Sequence, residues 1–123
     1  MRPLVLCLLL LAIGGGVHAW WRGAASAPSA ALAAGDPRLL TGDAGIVMLA
    51  AEWCGYCRRQ QADFERGQVR YRVLDVDQED GRLAAAALGR ENVPVTVIGQ
   101  HVIDGYDPAA LDAHLQPLGY RIY

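Results

Sequence analysis

The chain has 123 residues, 53% of them hydrophobic, and a formal net charge of −2 from 11 basic and 13 acidic side chains. That length holds one domain. The near-balanced charge, with no run of like sign, excludes nucleic acid as an expected partner.

Met1-Arg2-Pro3 is a short basic start, and Leu4 to Ile13 is almost wholly apolar. That is the pattern of a signal peptide, with cleavage before Trp20 or before Ser26. An uncleaved anchor fits the same residues: Leu4 to Trp21 spans 18 residues, just short of the roughly 20 that cross a bilayer. Trp20, Trp21 and Arg22 would suit an interface. Residues 1–23 are therefore expected as a signal peptide or a membrane anchor through residues 4–21. Either one carries the rest of the chain out of the cytoplasm, into a periplasmic setting. Cys7 lies inside this leader, so the domain keeps only Cys54 and Cys57 of the three cysteines. A structural disulfide framework is thereby excluded.

Residues 24–43, with Pro28, Ser26, Ser29 and Gly35, lack an apolar face and read as a tether. Ile46–Ala50 is a continuous apolar run, expected as a strand buried on both faces. Arg58 to Arg66 reads as a helix ended by Gly67, with Phe64 turned into the core. Val69, Tyr71 and Val73 alternate with arginines, a strand that continues to Val76. Asp77 is the expected N-cap of a second helix, whose stripe is Leu83, Ala84, Ala87 and Leu88 and whose stop is Gly89. Val93 to Ile98 is β-branched and reads as a strand. Gly99-Gln100 then turns into His101-Val102-Ile103. Asp107-Pro108 opens a last helix with Leu111, Leu115 and Leu118 inward. The domain is expected over 44–118, with 119–123 as a tail. The order implies a mixed four-stranded sheet flanked by three helices, its first crossover right-handed.

Cys54-Gly55-Tyr56-Cys57 falls between a buried strand and a helix. There, free N–H groups and the helix dipole favour a thiolate, and the second sulfur is one turn away. Ala51-Glu52-Trp53-Cys54-Gly55-Tyr56-Cys57-Arg58 resembles the active-site segment of thioredoxins. Val93-Pro94 and Gly105-Tyr106-Asp107 are similar to the corresponding segments of glutaredoxins, and the likeness covers about residues 44–118. The resemblance implies an α/β fold of the thioredoxin-like, glutaredoxin type and thiol–disulfide oxidoreductase activity. It implies Cys54 as nucleophile, Cys57 as resolving thiol, and a cis Pro94 that leaves the Val93 backbone to hold an extended substrate. Trp53 would shield the sulfurs, Arg58 would add positive potential, and Tyr56 would pack on substrate. Tyr106 and Asp107 would offer backbone amides at a helix N-terminus.

Protein disulfides or dithiols, or glutathione as co-substrate, are the implied partners, with a separate redox partner to recharge the pair and no bound cofactor. Two departures stand out. Thioredoxins carry a buried acid where this chain has Met48, and glutaredoxins commonly have Pro-Tyr between the cysteines. Gly-Tyr occurs in a periplasmic disulfide isomerase, but that protein needs a dimerisation domain for which this chain has no room. A different class of reading is a copper- or zinc-handling module with the same two cysteines as ligands. Zinc would need two more ligands, and only His101 and His114 are at hand, both read as surface residues.

Overall fold

The computed structural model describes residues 31–123. The expected signal or anchor, residues 1–23, lies outside the described residues, as does the tether up to residue 30. Among the described residues no helix is long and apolar enough to cross a membrane.

The elements in order are α1 (Arg38–Thr41), β1 (Ile46–Ala50), α2 (Gly55–Arg66), β2 (Arg72–Asp75), α3 (Glu79–Leu88), β3 (Val95–Ile98), β4 (His101–Asp104), α4 (Pro108–Leu115) and a 3-10 turn at Gln116–Leu118. The sheet order is β2-β1-β3-β4. β1 runs parallel to β2, while the β1–β3 and β3–β4 pairs are antiparallel. This is the expected mixed, thioredoxin-like sheet, with α1 added to the three expected helices.

β1 is buried at all five positions because both its faces are covered. Ile46 belongs to a core with Phe64, Ile98, Ile103, Leu111 and Leu115, under α2 and α4. Val47 and Leu49 point the other way, into a core with Leu74, Ala84, Leu88, Val95 and Val97, under α3. Phe64 is 0% exposed, as its helical spacing required, and its burial contributes about 1.5–3 kcal/mol.

Several boundaries differ from the sequence reading. β2 is only Arg72–Asp75, and Val73 is 40% exposed, because β2 is an edge strand whose inward residue is Leu74. Leu83 is 54% exposed; α3 buries Gly81, Ala84 and Leu88 instead. The N-cap of α3 is Gln78, without a side-chain bond, because the Asp77 carboxylate is taken by another partner described below. β3 starts at Val95, just after the cis Val93–Pro94 peptide.

The described part of the expected tether packs from Asp36 onward. Asp36 is 1% exposed, and hydrogen bonds from Arg38 outweigh burial to hold its carboxyl below the usual range. The Thr41 hydroxyl donates to the Gly99 carbonyl, and Gln100 Nε2 donates to Gly42 O at 2.8 Å. These bonds join α1 to the β3–β4 turn, a long-range pairing that local composition does not announce. The expected tail also packs: Tyr120 and Ile122 lie against the core. A β-carbon at Gly67 would overlap the Ile122 side chain, so that glycine makes room for the C-terminal segment.

Candidate active site

β1 runs into the start of α2 through Ala51, Glu52 and Trp53. The Cys54 N–H bonds back to Ala51 O at 3.1 Å, a tight turn that delivers Cys54 to the N-cap of α2. Its sulfur caps the helix, accepting from the Cys57 N–H at 3.1 Å. α2 thus begins within the Cys-x-x-Cys motif, at the helix start expected there, with a sulfur doing the capping. Cys54 and Cys57 form a disulfide with a Cα–Cα distance of 5.2 Å. The two residues are unequal: Cys54 is 7% exposed and Cys57 is 0% exposed.

The two cysteines pack with Met48, Ala50 and Ala51 of β1, and Tyr71, Val76 and Val93 close the cluster. Met48 is itself fully buried, so a thioether occupies the place where a thioredoxin carries its acid. The Cys54 sulfur lies 3.8 Å from the Val93 carbonyl oxygen. Pro94 follows in the cis bond, and its carbonyl accepts from the Gly105 N–H at 2.8 Å.

Two exposed aromatics flank the sulfurs. Trp53 is 68% exposed, and its indole N–H donates to Asp77 Oδ2 at 3.0 Å, which is why Asp77 does not cap α3. Tyr56 is 64% exposed and stacks on Tyr106 with centroids 6.0 Å apart. The Arg59 guanidinium lies 5.4 Å from the Tyr106 ring centre. Arg58 turns to the Glu52 carbonyl oxygen, a backbone partner within the same loop. Asp107 caps α4, accepting from the Ala110 N–H at 3.1 Å. A cleft of about 330 Å³ opens beside the motif, lined by Glu52, Arg58, Gln61, Val73 and Asp75 among others.

Asp63 escaped the sequence reading. It accepts from Tyr106 Oη at 2.6 Å, Tyr123 Oη at 3.0 Å and Arg66 at 2.8 Å. Burial alone would raise its carboxyl, but these three donors outweigh burial and hold it below the usual range. The hydrogen bond to Asp63 in turn raises the Tyr106 phenol. An acid one step from Phe64 on the buried side of α2 was the available signal. Because its folded pKa is depressed, Asp63 contributes stability above the unfolded carboxylate value of about 3.9, lost as pH falls through the folded value. Asp63→Ala should cost about 2–3 kcal/mol at neutral pH, by leaving Arg66 and two phenols without their acceptor. Thermal denaturation followed from pH 7 to pH 3 checks this: the gap between wild type and variant should narrow at the acid end.

His101 and His114 stack on each other with centroids 4.4 Å apart. His101 pairs with Ile98, and Ile98 with Ile46 at the start of β1, the end of the sheet away from the cysteines. Among the described residues no group of three or more His, Cys, Asp or Glu side chains is placed to hold a metal ion.

A Cys-x-x-Cys pair at a helix start, behind a buried strand and beside a cis-proline, defines a thioredoxin-fold dithiol oxidoreductase. The glutaredoxin family model matches residues 46–103, the run from β1 into β4. Buckwheat glutaredoxin, solved in complex with glutathione, is similar at 32% identity, with 66% of this chain and 81% of that chain covered and a TM-score of 0.54. Reduced glutaredoxin C1 from Populus tremula x tremuloides is 29% identical, with 66% and 74% covered and a TM-score of 0.51. A glutaredoxin from Archaeoglobus fulgidus shares the fold at 24% identity, with 63% and 92% covered and a TM-score of 0.54. No curated protein matches the chain. The chain belongs to the glutaredoxin family and is a thiol–disulfide oxidoreductase.

Proposed function

We propose that the protein exchanges electrons with protein or glutathione disulfides outside the cytoplasm, with Cys54 as nucleophile and Cys57 as resolving thiol. The observation that carries this is the asymmetry of the pair. Cys54 keeps some exposed surface, sits at the positive end of α2, and its sulfur accepts a backbone N–H, whereas Cys57 is fully buried. Dipole and hydrogen bond both favour sulfur as an anion there. Attack by the Cys54 thiolate on a substrate disulfide gives a mixed disulfide. Cys57 then displaces the substrate thiolate and closes the ring. In reverse, the same steps oxidise a substrate dithiol, and the partner that recharges the pair sets the direction.

Val93 and Pro94, beside the Cys54 sulfur, supply the backbone edge for an extended substrate. Trp53 and the Tyr56–Tyr106 stack are the side chains for the substrate to pack on, with Arg58 and Asp107 as further contacts. Glutathione as co-substrate draws support from the glutathione complex of the buckwheat relative. The assay that tests this follows turnover of a glutathione mixed disulfide by wild type and by Cys57→Ser. The dithiol scheme requires the variant to stall as a mixed disulfide. Full glutathione-supported turnover by the variant would replace it with a monothiol scheme.

Export draws support from Arg2 and the apolar run after it. Cleavage before Trp20 or Ser26 would release a soluble periplasmic domain, and retention of residues 4–21 would tether it to the inner membrane. N-terminal sequencing of the protein from fractionated cells distinguishes the two, and recovery in the cytoplasm would refute export.

A further inference from the structure

Gln60 and Thr96 are each 0% exposed, and Gln60 Nε2 donates to Thr96 Oγ1 at 2.6 Å. That bond leaves Gln60 Oε1 buried without a partner. Buried amide oxygens are rarely left this way, and each one calls for an explanation.

Its place in the fold supplies one. Gln60 follows Cys57 by three residues in α2, so both side chains leave the same buried face of the helix. Thr96 is the cross-strand partner of Met48, and Met48 packs against both cysteines. The unpaired oxygen therefore lies in the same layer as Cys57, between α2 and the sheet. With the disulfide closed, Cys57 has no hydrogen to give. Reduction adds two electrons and two protons to the pair, and Cys57 then holds an S–H in a sealed apolar site.

We propose that Gln60 is the positioning residue for Cys57: its Oε1 accepts the Cys57 S–H in the reduced protein, and the amide, rotated half a turn, donates Nε2–H to the Cys57 thiolate. Thr96 permits both arrangements, because a hydroxyl accepts from Nε2 in the first and donates to Oε1 in the second. In the resolving step the Cys57 thiolate bonds to the Cys54 sulfur as the bond from Cys54 to the substrate breaks. The substrate sulfur leaves with the electron pair and takes up a proton equivalent to the one Cys57 lost. The amide carries no proton; it holds each protonation state of the sulfur in turn.

The surroundings offer few competitors. From β1, Met48, Ala50 and Ala51 bring no ionisable group, and Val76 and Val93 bring none. Among the apolar side chains packed on the cluster, Tyr71 is titratable, its phenol pushed up by burial and by Glu65. On α2 itself, Arg58 is engaged by the Glu52 carbonyl and Asp63 by Tyr106, Arg66 and Tyr123.

The inference rests on the dithiol reading, and its test is separable from it. In 15N-labelled protein the Gln60 Nε2H2 resonances should shift between the oxidised and reduced forms. In the reduced form they should follow the ionisation of Cys57. Gln60→Leu should raise the pH at which Cys57 ionises by about one unit or more, since the thiolate loses its donor in a dry site. Thr96→Val should raise it less. Gln60 resonances indifferent to both redox state and Cys57 ionisation would overturn the proposal, as would a folded Gln60→Leu protein with Cys57 ionisation unchanged. Should Gln60→Leu not fold, the wild-type resonances decide alone. Loss of exchange by the wild type would instead strike at the dithiol reading.

Discussion

Cys54→Ser is expected to bring disulfide exchange down to the rate of the uncatalysed reaction, whatever substrate is offered. The reason is geometric. Of the two cysteines, Cys54 is the one with exposed surface, and Cys57 is fully buried in a cluster with Met48, Ala50 and Ala51. With no exposed surface, Cys57 offers a substrate disulfide no point of attack. Serine at position 54 would still cap α2, because a hydroxyl oxygen accepts from the Cys57 N–H as well as sulfur does. The fold should therefore be kept, with a melting point matching that of the reduced wild type, which like the variant lacks the disulfide, while turnover is lost. Steady-state kinetics beside a thermal melt show both halves. Retained turnover would move the nucleophile to Cys57 and reverse the roles assigned to the pair.

Gly81→Ala should lower stability by about 2–3 kcal/mol, although alanine is the better helix former. Glycine within a helix costs about 1 kcal/mol relative to alanine, so its presence in α3 needs a cause. The cause is the Asp75 carbonyl at the end of β2, against which a β-carbon at position 81 would collide. Backbone would have to yield, and overpacking of this kind costs about 1–3 kcal/mol or more. For a domain of this size that corresponds to a melting point roughly 10 °C lower. Gly55→Ala is the contrast: a β-carbon there meets nothing nearer than Arg58 Nη2 at 3.9 Å. Its melting point should stay level or rise slightly, as removing glycine from a compatible site restricts the unfolded chain. Equal melting points for the two variants would show that α3 does not sit this close to β2.

The parts of the fold that were legible in the sequence are those set by local pattern. Ile46–Ala50 declared a doubly buried strand, the cysteine spacing declared a helix start, and Asp107-Pro108 declared a cap that the structure contains. What escaped is set by contacts across the fold. Leu83 fits a helical stripe as well as Ala84 does, and only the tilt of α3 on the sheet leaves it exposed. Nothing local to Thr41 signals that it meets Gly99. Tyr123 and Ile122 looked like a tail because their partners, Asp63 and Gly67, lie about sixty residues earlier in the chain. The site divided in the same way. The Cys54–Cys57 pair followed from motif and spacing, and the place of Val93 and Pro94 beside it from the family resemblance. The Tyr56–Tyr106 stack, the Asp63 acceptor and the Gln60–Thr96 pair needed three dimensions.

The proposed function requires that the Cys54 sulfur, capping a helix, ionise easily once reduced. Its most direct test is the pH dependence of alkylation in the reduced protein, with the modified cysteine located by peptide mass. Cys54 should be modified first, and half-maximal rate should fall at least about one pH unit below the ordinary thiol value of about 8.5. A midpoint at or above that value, or modification of Cys57 ahead of Cys54, would contradict it.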